Sequence, residues 1–222
     1  MLESFGKNIW IVKTPLKFVG LEIGTRMTVI RLNNGELFLH SPVKLTDELF
    51  KELKKLGTVK YIVSPNKLHH LFMADYLAFP QVKLYASPGL VRKRKDLNFE
   101  SELGDIPDKC WQSEIDQMIF RGSFFLKEVV FFHKQSKTLI LTDIIQEHED
   151  HRFLPKLIAK FLGVYKKKAV PRELRLTMTN KQMVRNSVAK IQKWDFEKIV
   201  FSHASLVVEN AKEILKQQFS IF

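Results

Sequence analysis

The stretch VKYIVSPNKLHH, residues 59–70, carries the strongest structural signal in the sequence. Its first part, residues 59–63, is apolar and rich in β-branched and aromatic residues, which is typical of a buried strand. The second part has to leave the sheet, because Pro65 cannot donate a hydrogen bond within a central ladder. The stretch therefore predicts a strand that runs into a sharply turning loop, and this loop ends in two adjacent histidines, His69 and His70.

The sequence before this stretch predicts antiparallel strands followed by one helix. Three short apolar runs are separated by turn signals: residues 8–12, 27–32 and 36–40. Asn33-Asn34-Gly35 is typical of the hairpin turn between the last two runs. Thr46 can cap a helix whose apolar residues recur at helical spacing, and Gly57 ends it.

The sequence after the stretch predicts a short βα alternation and a second group of strands. Residues 70–77 and the segment opened by Pro88 predict short helices, with a strand at 82–85 between them. The polar residues 92–108 and 165–175 indicate exposed loops. An antiparallel group of strands is predicted at residues 117–120, 128–132 and 138–141. The last predicted elements are helices at 151–164, 180–194 and 206–218, and a strand at 198–201.

Length and composition indicate one soluble domain. With 222 residues, the chain is long enough for one sizeable α/β domain and short for two, so we expect one domain over residues 1–222. The single cysteine, Cys110, excludes an internal disulfide and a cysteine-cluster zinc site. It is also typical of a reducing compartment, so we expect a cytoplasmic protein without a secretory signal or a membrane span.

The charge of the chain favours anionic partners. Thirty-six Lys and Arg residues against 24 Asp and Glu residues give a net charge of +12. Nucleic acids, phosphorylated metabolites and acidic lipids are all compatible with this charge, and so is a solvated lysine-rich surface. The basic clusters at residues 92–95 and 166–168 lack interleaved aromatic residues, so no motif supports binding to nucleic acid. The sequence does not predict an oligomeric state.

Five titratable residues lie where predicted strands end. His69 and His70 follow the strand at 59–63, and the others end or follow later strands: His133, Asp143 and His203. Side chains at the carboxyl ends of neighbouring strands can meet at one rim of a layered α/β fold. Imidazole and carboxylate are ligands that zinc and iron accept. The pattern indicates either a metal site or a cluster of hydrogen-bonded structural histidines.

The order of these features resembles the metallo-β-lactamase family. Residues 37–42, the helix after them and residues 59–70 resemble the family's strand, helix, strand and metal loop, which in active members reads Thr-His-x-His-x-Asp-His. His133 resembles the third metal histidine, Asp143 the metal-bridging aspartate, and His203 the final histidine. The resemblance spans roughly residues 8–203 and implies a four-layer αββα sandwich.

The sequence resembles more closely still an uncharacterised subfamily of that superfamily, described only as a domain of unknown function. The shared segments are Arg26-Met27-Thr28-Val29, His40-Ser41-Pro42, Ser64-Pro65-Asn66 with His69-His70, and residues 128–133 with 138–143. This resemblance implies the fold and says little about a substrate.

The metal loop departs from the pattern of the active enzymes. Pro65 and Lys67 stand where two histidines hold the first zinc, and His69 stands at the position of the loop's aspartate. Proline has no donor atom, and the lysine ammonium places positive charge beside a dication, which disfavours a second metal. We therefore expect at most one metal in the site.

The resemblance then implies roles for the remaining residues. One divalent metal, zinc or iron, would be held by His69, His70, Asp143 and His203. His133 would orient the substrate or water, and Lys67 would stabilise developing negative charge. The implied activity is the hydrolysis of an ester, a thioester or a phosphoester. The alternatives are a non-catalytic descendant that binds an anionic partner through its basic surface, and an RNA-processing role, although the intact loop of the RNA-cleaving members is missing.

Overall fold

Two β-sheets pack face to face and carry helices on their outer sides. The computed structural model describes residues 1–18, 21–149 and 152–222. The strands within these ranges are β1 (Glu3–Gly6), β2 (Ile9–Thr14), β3 (Lys17–Phe18), β4 (Leu21–Glu22), β5 (Thr25–Arg31), β6 (Glu36–His40), β7 (Thr58–Val63), β8 (Lys83–Ala86), β9 (Phe99–Glu102), β10 (Ile115–Phe120), β11 (Glu128–His133), β12 (Thr138–Leu141) and β13 (Lys198–Phe201). The helices are α1 (Asp47–Leu56), α2 (Leu90–Lys93), α3 (Phe153–Leu162), α4 (Arg172–Thr177), α5 (Lys181–Gln192) and α6 (Ala211–Gln218), and a 3₁₀ helix covers Met73–Ala78.

The two packed sheets are mixed, and β3 and β4 form a separate antiparallel pair. The larger sheet has the strand order β1-β2-β5-β6-β7-β8-β9, and the smaller sheet has the order β10-β11-β12-β13. The larger sheet is antiparallel from β1 to β6 and parallel from β6 to β9. In the smaller sheet β10, β11 and β12 are antiparallel neighbours, whereas β12 and β13 are parallel. The parallel pairs place several strand ends at one rim.

Helix α1 connects β6 to the parallel strand β7. The Thr46 side chain accepts a hydrogen bond from the backbone N–H of Leu49, as the predicted cap requires. Gly57 ends the helix, and a Cβ at this position would lie 2.5 Å from the carbonyl oxygen of Gly35. Leu49 and Leu53 are buried against the larger sheet. This crossover brings the ends of β6 and β7 together, with His40 and Val63 as register partners.

The described buried apolar residues form three clusters, which explain the layers. One cluster lies between the sheets, where the rings of Phe38 and Phe131 are 5.5 Å apart and Trp111 packs 5.1 Å from Phe38. A second joins the larger sheet to α1 and the 3₁₀ helix. The third joins the smaller sheet to α4, α5 and α6. Each sheet therefore buries both faces, which confirms the predicted αββα sandwich.

Two segments that were predicted as loops contain regular structure. Strand β9 lies within residues 92–108, where it is a largely exposed edge strand with the sequence FESE. It lacks apolar alternation because an edge strand has little to bury. Helix α4 lies partly within residues 165–175 and buries Leu174. Because Leu174 is the single buried residue of this helix, the sequence shows no repeat of apolar residues at helical spacing.

Other boundaries differ in smaller ways. The helix predicted at residues 70–77 is the 3₁₀ helix Met73–Ala78. Residue 151, where another helix was predicted to begin, lies outside the described residues, and α3 begins at Phe153. The second group of strands, predicted as antiparallel, is antiparallel over β10, β11 and β12. The separately predicted strand β13 joins this sheet parallel to β12. Within the described ranges no helix is long and apolar enough to cross a membrane.

Candidate metal centre

Three of the four predicted metal ligands meet at the rim where the parallel strands end. His69 lies in the loop after β7, Asp143 lies two residues after β12, and His203 lies two residues after β13. All three side chains are buried. One donor atom from each lies within 4.8 Å of the others. The centre therefore joins loops from both sheets.

The distances within this triad are those of ligands around one ion. His69 Nε2 is 3.1 Å from Asp143 Oδ2 and 3.2 Å from His203 Nε2. His203 Nε2 is 3.4 Å from Asp143 Oδ1. Metal–ligand bonds of about 2.1 Å place neighbouring donors about 3.0 to 3.4 Å apart in octahedral or tetrahedral geometry. The donor set and its spacing therefore suit one divalent zinc or iron ion.

A backbone carbonyl fixes the orientation of His203. The Nδ1 of His203 donates to the carbonyl oxygen of Gly24 at 2.7 Å. Since a carbonyl only accepts, the ring proton lies on Nδ1 and Nε2 keeps its lone pair for the centre. Arg26 holds the same loop, because its Nη1 donates to the carbonyls of Phe201 and Ala204. Gly24, just before β5, and Arg26, within β5, thus position His203 in the loop that follows β13.

Ser41 orients His69. This serine follows β6 at a positive φ of 57°, and its backbone N–H donates to the carbonyl of Val63 at 2.9 Å. The turn directs Ser41 Oγ to within 2.6 Å of His69 Nδ1. His69 Nε2 is therefore the nitrogen that faces Asp143 and His203. A hydrogen-bond partner on the second ring nitrogen is the usual support of a metal-binding histidine.

Asn66 connects the loop to the aspartate. The side-chain oxygen Oδ1 of Asn66 accepts hydrogen bonds from the backbone N–H groups of Leu68 at 2.8 Å and His69 at 3.3 Å. Its amide nitrogen donates to Asp143 Oδ2 at 2.7 Å and is 3.2 Å from Glu128 Oε2. Asn66 is fully buried. One side chain therefore fixes the loop conformation and the position of the carboxylate.

Glu128 is a component of the centre that the sequence interpretation missed. This buried carboxylate accepts from the backbone N–H of Thr142 and of Asp143, each at 2.7 Å. It thus holds the turn that presents the Asp143 side chain. The available signal was an acidic residue at the start of the otherwise apolar strand β11, a type of residue that is seldom buried without a partner.

The charges in the centre are strongly coupled. Burial and the neighbouring Asp143 raise the pKa of Glu128 above its usual range. Burial opposes the charge on Asp143, but His69 outweighs it and holds the pKa of this carboxyl below its usual range. Burial likewise lowers the pKa of His69, but Asp143 and Glu128 outweigh it, so the net shift is upward. Burial lowers the pKa of His203 to about 4, which leaves a neutral imidazole.

His70 lies apart from the triad. Arg94 Nη1 is 3.0 Å from His70 Nδ1 and from the His70 carbonyl oxygen. Because guanidinium only donates, the ring proton of His70 lies on Nε2, which is then a donor rather than a metal ligand. Burial and the nearby Lys93 and Arg94 lower the pKa of His70 to about 4. The structure therefore separates His70 from the predicted ligand set.

Lys67 and His133 also lie away from the centre. The Lys67 side chain is exposed and passes over Gly89, where an added Cβ would be 2.8 Å from Lys67 Cε. His133 ends β11, which runs opposite to β12, and its register partner is Thr138 at the start of β12. Its Nδ1 is 2.7 Å from Ser136 Oγ. His133 thus lies at the far end of the smaller sheet, about five residues or 16 Å along the strand direction from Asp143.

A cavity of about 620 Å³ opens onto the triad. The triad residues line it together with His70, His148, Gln146, Lys93, Glu173 and two threonines. The other described residues that line the cavity are all apolar: Leu16, Ile23, Pro42, Leu68, Leu71, Phe72, Phe125, Leu126, Ile158, Leu162 and Leu174. A site of this kind, apolar with a few convergent polar groups, is typical of small-molecule binding.

The architecture is a fold of the metallo-β-lactamase type, with the triad at its rim. Residues 6–160 match the family described as Domain of unknown function (DUF4336), and the chain belongs to this family. No curated protein matches the chain. The predicted resemblance to such a subfamily is thereby confirmed.

Solved structures support the fold. A metallo-β-lactamase from Pontibacter korlensis matches with a TM-score of 0.68 and 12% identity over 100% of this chain and 97% of its own. The metallo-β-lactamase FIM-1 from Pseudomonas aeruginosa, in its mono-zinc form, matches with a TM-score of 0.68 and 8% identity over 100% and 95%. The Flv1 flavodiiron core from Synechocystis sp. PCC6803 matches with a TM-score of 0.67 and 13% identity over 99% and 60%. At these identities the likeness concerns the fold alone.

Proposed function

We propose that this protein is a mononuclear metal-dependent hydrolase that cleaves esters or thioesters with an apolar acyl group. The spacing of 3.1 to 3.4 Å between the donor atoms of His69, Asp143 and His203, beside an apolar cavity, carries this proposal. A bound zinc or ferrous ion would supply a Lewis acid that polarises a carbonyl and activates water.

The surrounding residues hold the three ligands in position before any metal arrives. Gly24 fixes the ring of His203, Ser41 fixes the ring of His69, and Glu128 with Asn66 fixes Asp143. Such partners raise the affinity of a site, because little reorganisation accompanies binding. Asp143 contributes the one negative charge among the three ligands.

His70 is the proposed substrate-positioning residue, in place of Lys67 and His133. It lines the cavity, and Arg94 directs its proton to Nε2. A neutral imidazole with Nε2–H can donate to a carbonyl oxygen and support the negative charge that develops there. Its lowered pKa keeps it neutral at physiological pH.

The walls of the cavity favour esters and thioesters over phosphoesters. A phosphoester carries its own negative charge and needs cationic partners. Lys93 is the single Lys or Arg among the described residues that line the cavity, and its ammonium donates to the Lys67 carbonyl at 2.8 Å. Glu173 lies on the same wall. An apolar acyl chain suits this lining better.

The experiment is metal analysis and an ester assay on tag-free protein. The chain is loaded separately with zinc and with ferrous iron, and hydrolysis of p-nitrophenyl decanoate and p-nitrophenyl acetate is followed. We expect one metal per chain and faster turnover of the decanoate. His203→Ala should lose both metal and turnover, whereas the matched His133→Gln should keep both. Metal retention without turnover of either ester would favour the non-catalytic alternative, and turnover that His203→Ala leaves unchanged would refute the proposed site.

A further inference from the structure

The outer face of α3 exposes an unusual row of apolar side chains. Phe153, Leu157 and Phe161 recur every four residues, and their exposed fractions are 84%, 53% and 72%. Leu154, beside this row, is 62% exposed. A surface helix of a globular protein normally places polar residues on this side. A contiguous apolar surface of this kind marks an interaction site.

The adjacent row of the same helix continues this surface into the cavity. Leu154, Ile158 and Leu162 also recur every four residues, and the last two line the cavity beside the metal centre. Phe125 and Leu71, which are 63% and 53% exposed, line the cavity as well. An apolar path therefore runs from the outer face of α3 to the cavity.

A basic cluster borders the other side of the exposed row. The ammonium groups of Lys156, Lys160 and Lys166 each lie 5.8 Å from the centre of the Tyr165 ring. On the helix, Lys156 and Lys160 are again four residues apart, so they form a row of their own next to Phe153 and Leu157. The lysines add to a chain whose net charge is +12. The face thus combines an apolar strip with concentrated positive charge.

We propose that α3 binds the surface of a membrane that contains anionic phospholipids. The apolar row would enter the boundary between headgroups and acyl chains, and the lysines around Tyr165 would contact lipid phosphates. With ten residues, α3 lies on such a surface and does not span it. A symmetric contact with a second copy would bring the lysine rows together, which charge repulsion opposes.

The docking does not depend on the metal centre, so it can be tested independently of the proposed hydrolysis. If both hold, the cavity opens beside the lipid, and an apolar ester reaches it without crossing water.

The test uses the full chain and sedimentation with lipid vesicles. One vesicle is phosphatidylcholine alone, and the other contains equal amounts of phosphatidylcholine and phosphatidylglycerol. We expect binding to the mixed vesicles that weakens as salt is raised. Leu157→Ser with Phe161→Ser should lower the partition coefficient about tenfold or more. Lys156→Gln with Lys160→Gln should lower it about thirtyfold, the effect of two lysines near an anionic surface.

Matched controls come from the rest of the surface. Ile106→Ser with Val208→Ser removes two other exposed apolar residues, which are 82% and 61% exposed. Lys51→Gln with Lys55→Gln removes an exposed lysine pair of the same spacing on α1. Both controls should bind as the wild type does, with unchanged circular dichroism in all variants.

Three results would overturn the proposal. The first is a wild-type chain that does not sediment with the mixed vesicles. The second is a control pair that weakens binding as much as the α3 pair does. The third is a lipid-free dimer, measured by sedimentation equilibrium, that Leu157→Ser with Phe161→Ser dissociates, since the face would then join two copies of the chain.

Discussion

His69 Nε2 lies 3.2 Å from His203 Nε2, although the two residues stand 134 positions apart and follow strands of different sheets. Because His203 presents a lone pair at this nitrogen, either a proton on His69 or a shared cation must lie between the rings. Asp143 contacts both rings and supplies the charge that either arrangement needs.

The first prediction concerns metal-linked stability. Wild-type protein should bind one metal per chain, and saturation at a hundred times Kd should raise the free energy of unfolding by about 2.7 kcal/mol. A strong chelator should remove this gain. In Asp143→Asn the chelator should have almost no effect, since a neutral amide is a poor ligand. Thermal melts with and without chelator measure both. Two metals per chain, or a wild-type melt that the chelator does not change, would contradict the prediction.

The second prediction concerns Glu128. Thr142 and Asp143 donate to different oxygens of the carboxylate. Replacement by Gln keeps the shape but puts an amide donor in place of one oxygen, so one of these two buried N–H groups loses its acceptor. Glu128→Gln should lower the free energy of unfolding by about 3 kcal/mol. Urea denaturation measures this change, and the exposed Glu209→Gln should alter it by less than about 0.5 kcal/mol. Equal effects of the two substitutions would show that Glu128 does not hold the turn.

The third prediction concerns acid stability and His133. Burial lowers the pKa of His133 to about 4, so the unfolded chain binds this proton more readily than the folded chain does. The free energy of unfolding should therefore be highest above pH 6.5. It should fall by up to about 3 kcal/mol as the pH is lowered from about 6.5 toward 4. In His133→Phe this decrease in the free energy of unfolding between pH 6.5 and 4 should disappear. Ser136→Ala, which keeps the imidazole, should retain it. The measurement is denaturant unfolding at successive pH values, and identical pH profiles of wild type and His133→Phe would be inconsistent with a neutral His133.

The fourth prediction concerns the size of the substrate. Ile158 lines the cavity, and Leu157 beside it faces outward. Ile158→Trp should fill part of the cavity and lower kcat/KM for p-nitrophenyl decanoate about tenfold, with little change for the acetate. Leu157→Trp should leave both values near those of the wild type. A uniform loss for both esters would instead indicate damage to the centre.

Strand direction explains which site residues the sequence could predict. His69, Asp143 and His203 each follow the end of a strand, and the structure brings these three strand ends to one rim. For Asp143 and His203 the reason is that β12 and β13 are parallel. His133 also ends a strand, but β11 is antiparallel to β12, so its end lies at the opposite rim. The same antiparallel pairing brings Glu128, at the start of β11, beside Asp143.

Two further features were beyond the sequence. His69 and His70 are adjacent in one loop, but Ser41 orients His69 toward the triad whereas Arg94 holds His70 apart from it. Arg94 lies in a polar segment without a periodic pattern, so its contact with His70 depends on tertiary structure alone. The edge strand β9 was missed for a similar reason, because a largely exposed strand has no apolar face to recognise.

Gly24 and Arg26 form hydrogen bonds with the loop after β13. The position of His203 therefore depends on the distance between the two sheets. A change in the thickness of the inter-sheet core, for example at Phe38 or Phe131, would shift His203 relative to His69. Ions of different radius prefer different donor separations. The donor separations at the proposed metal site therefore depend, through the spacing of the two sheets, on aromatic positions that do not line the site.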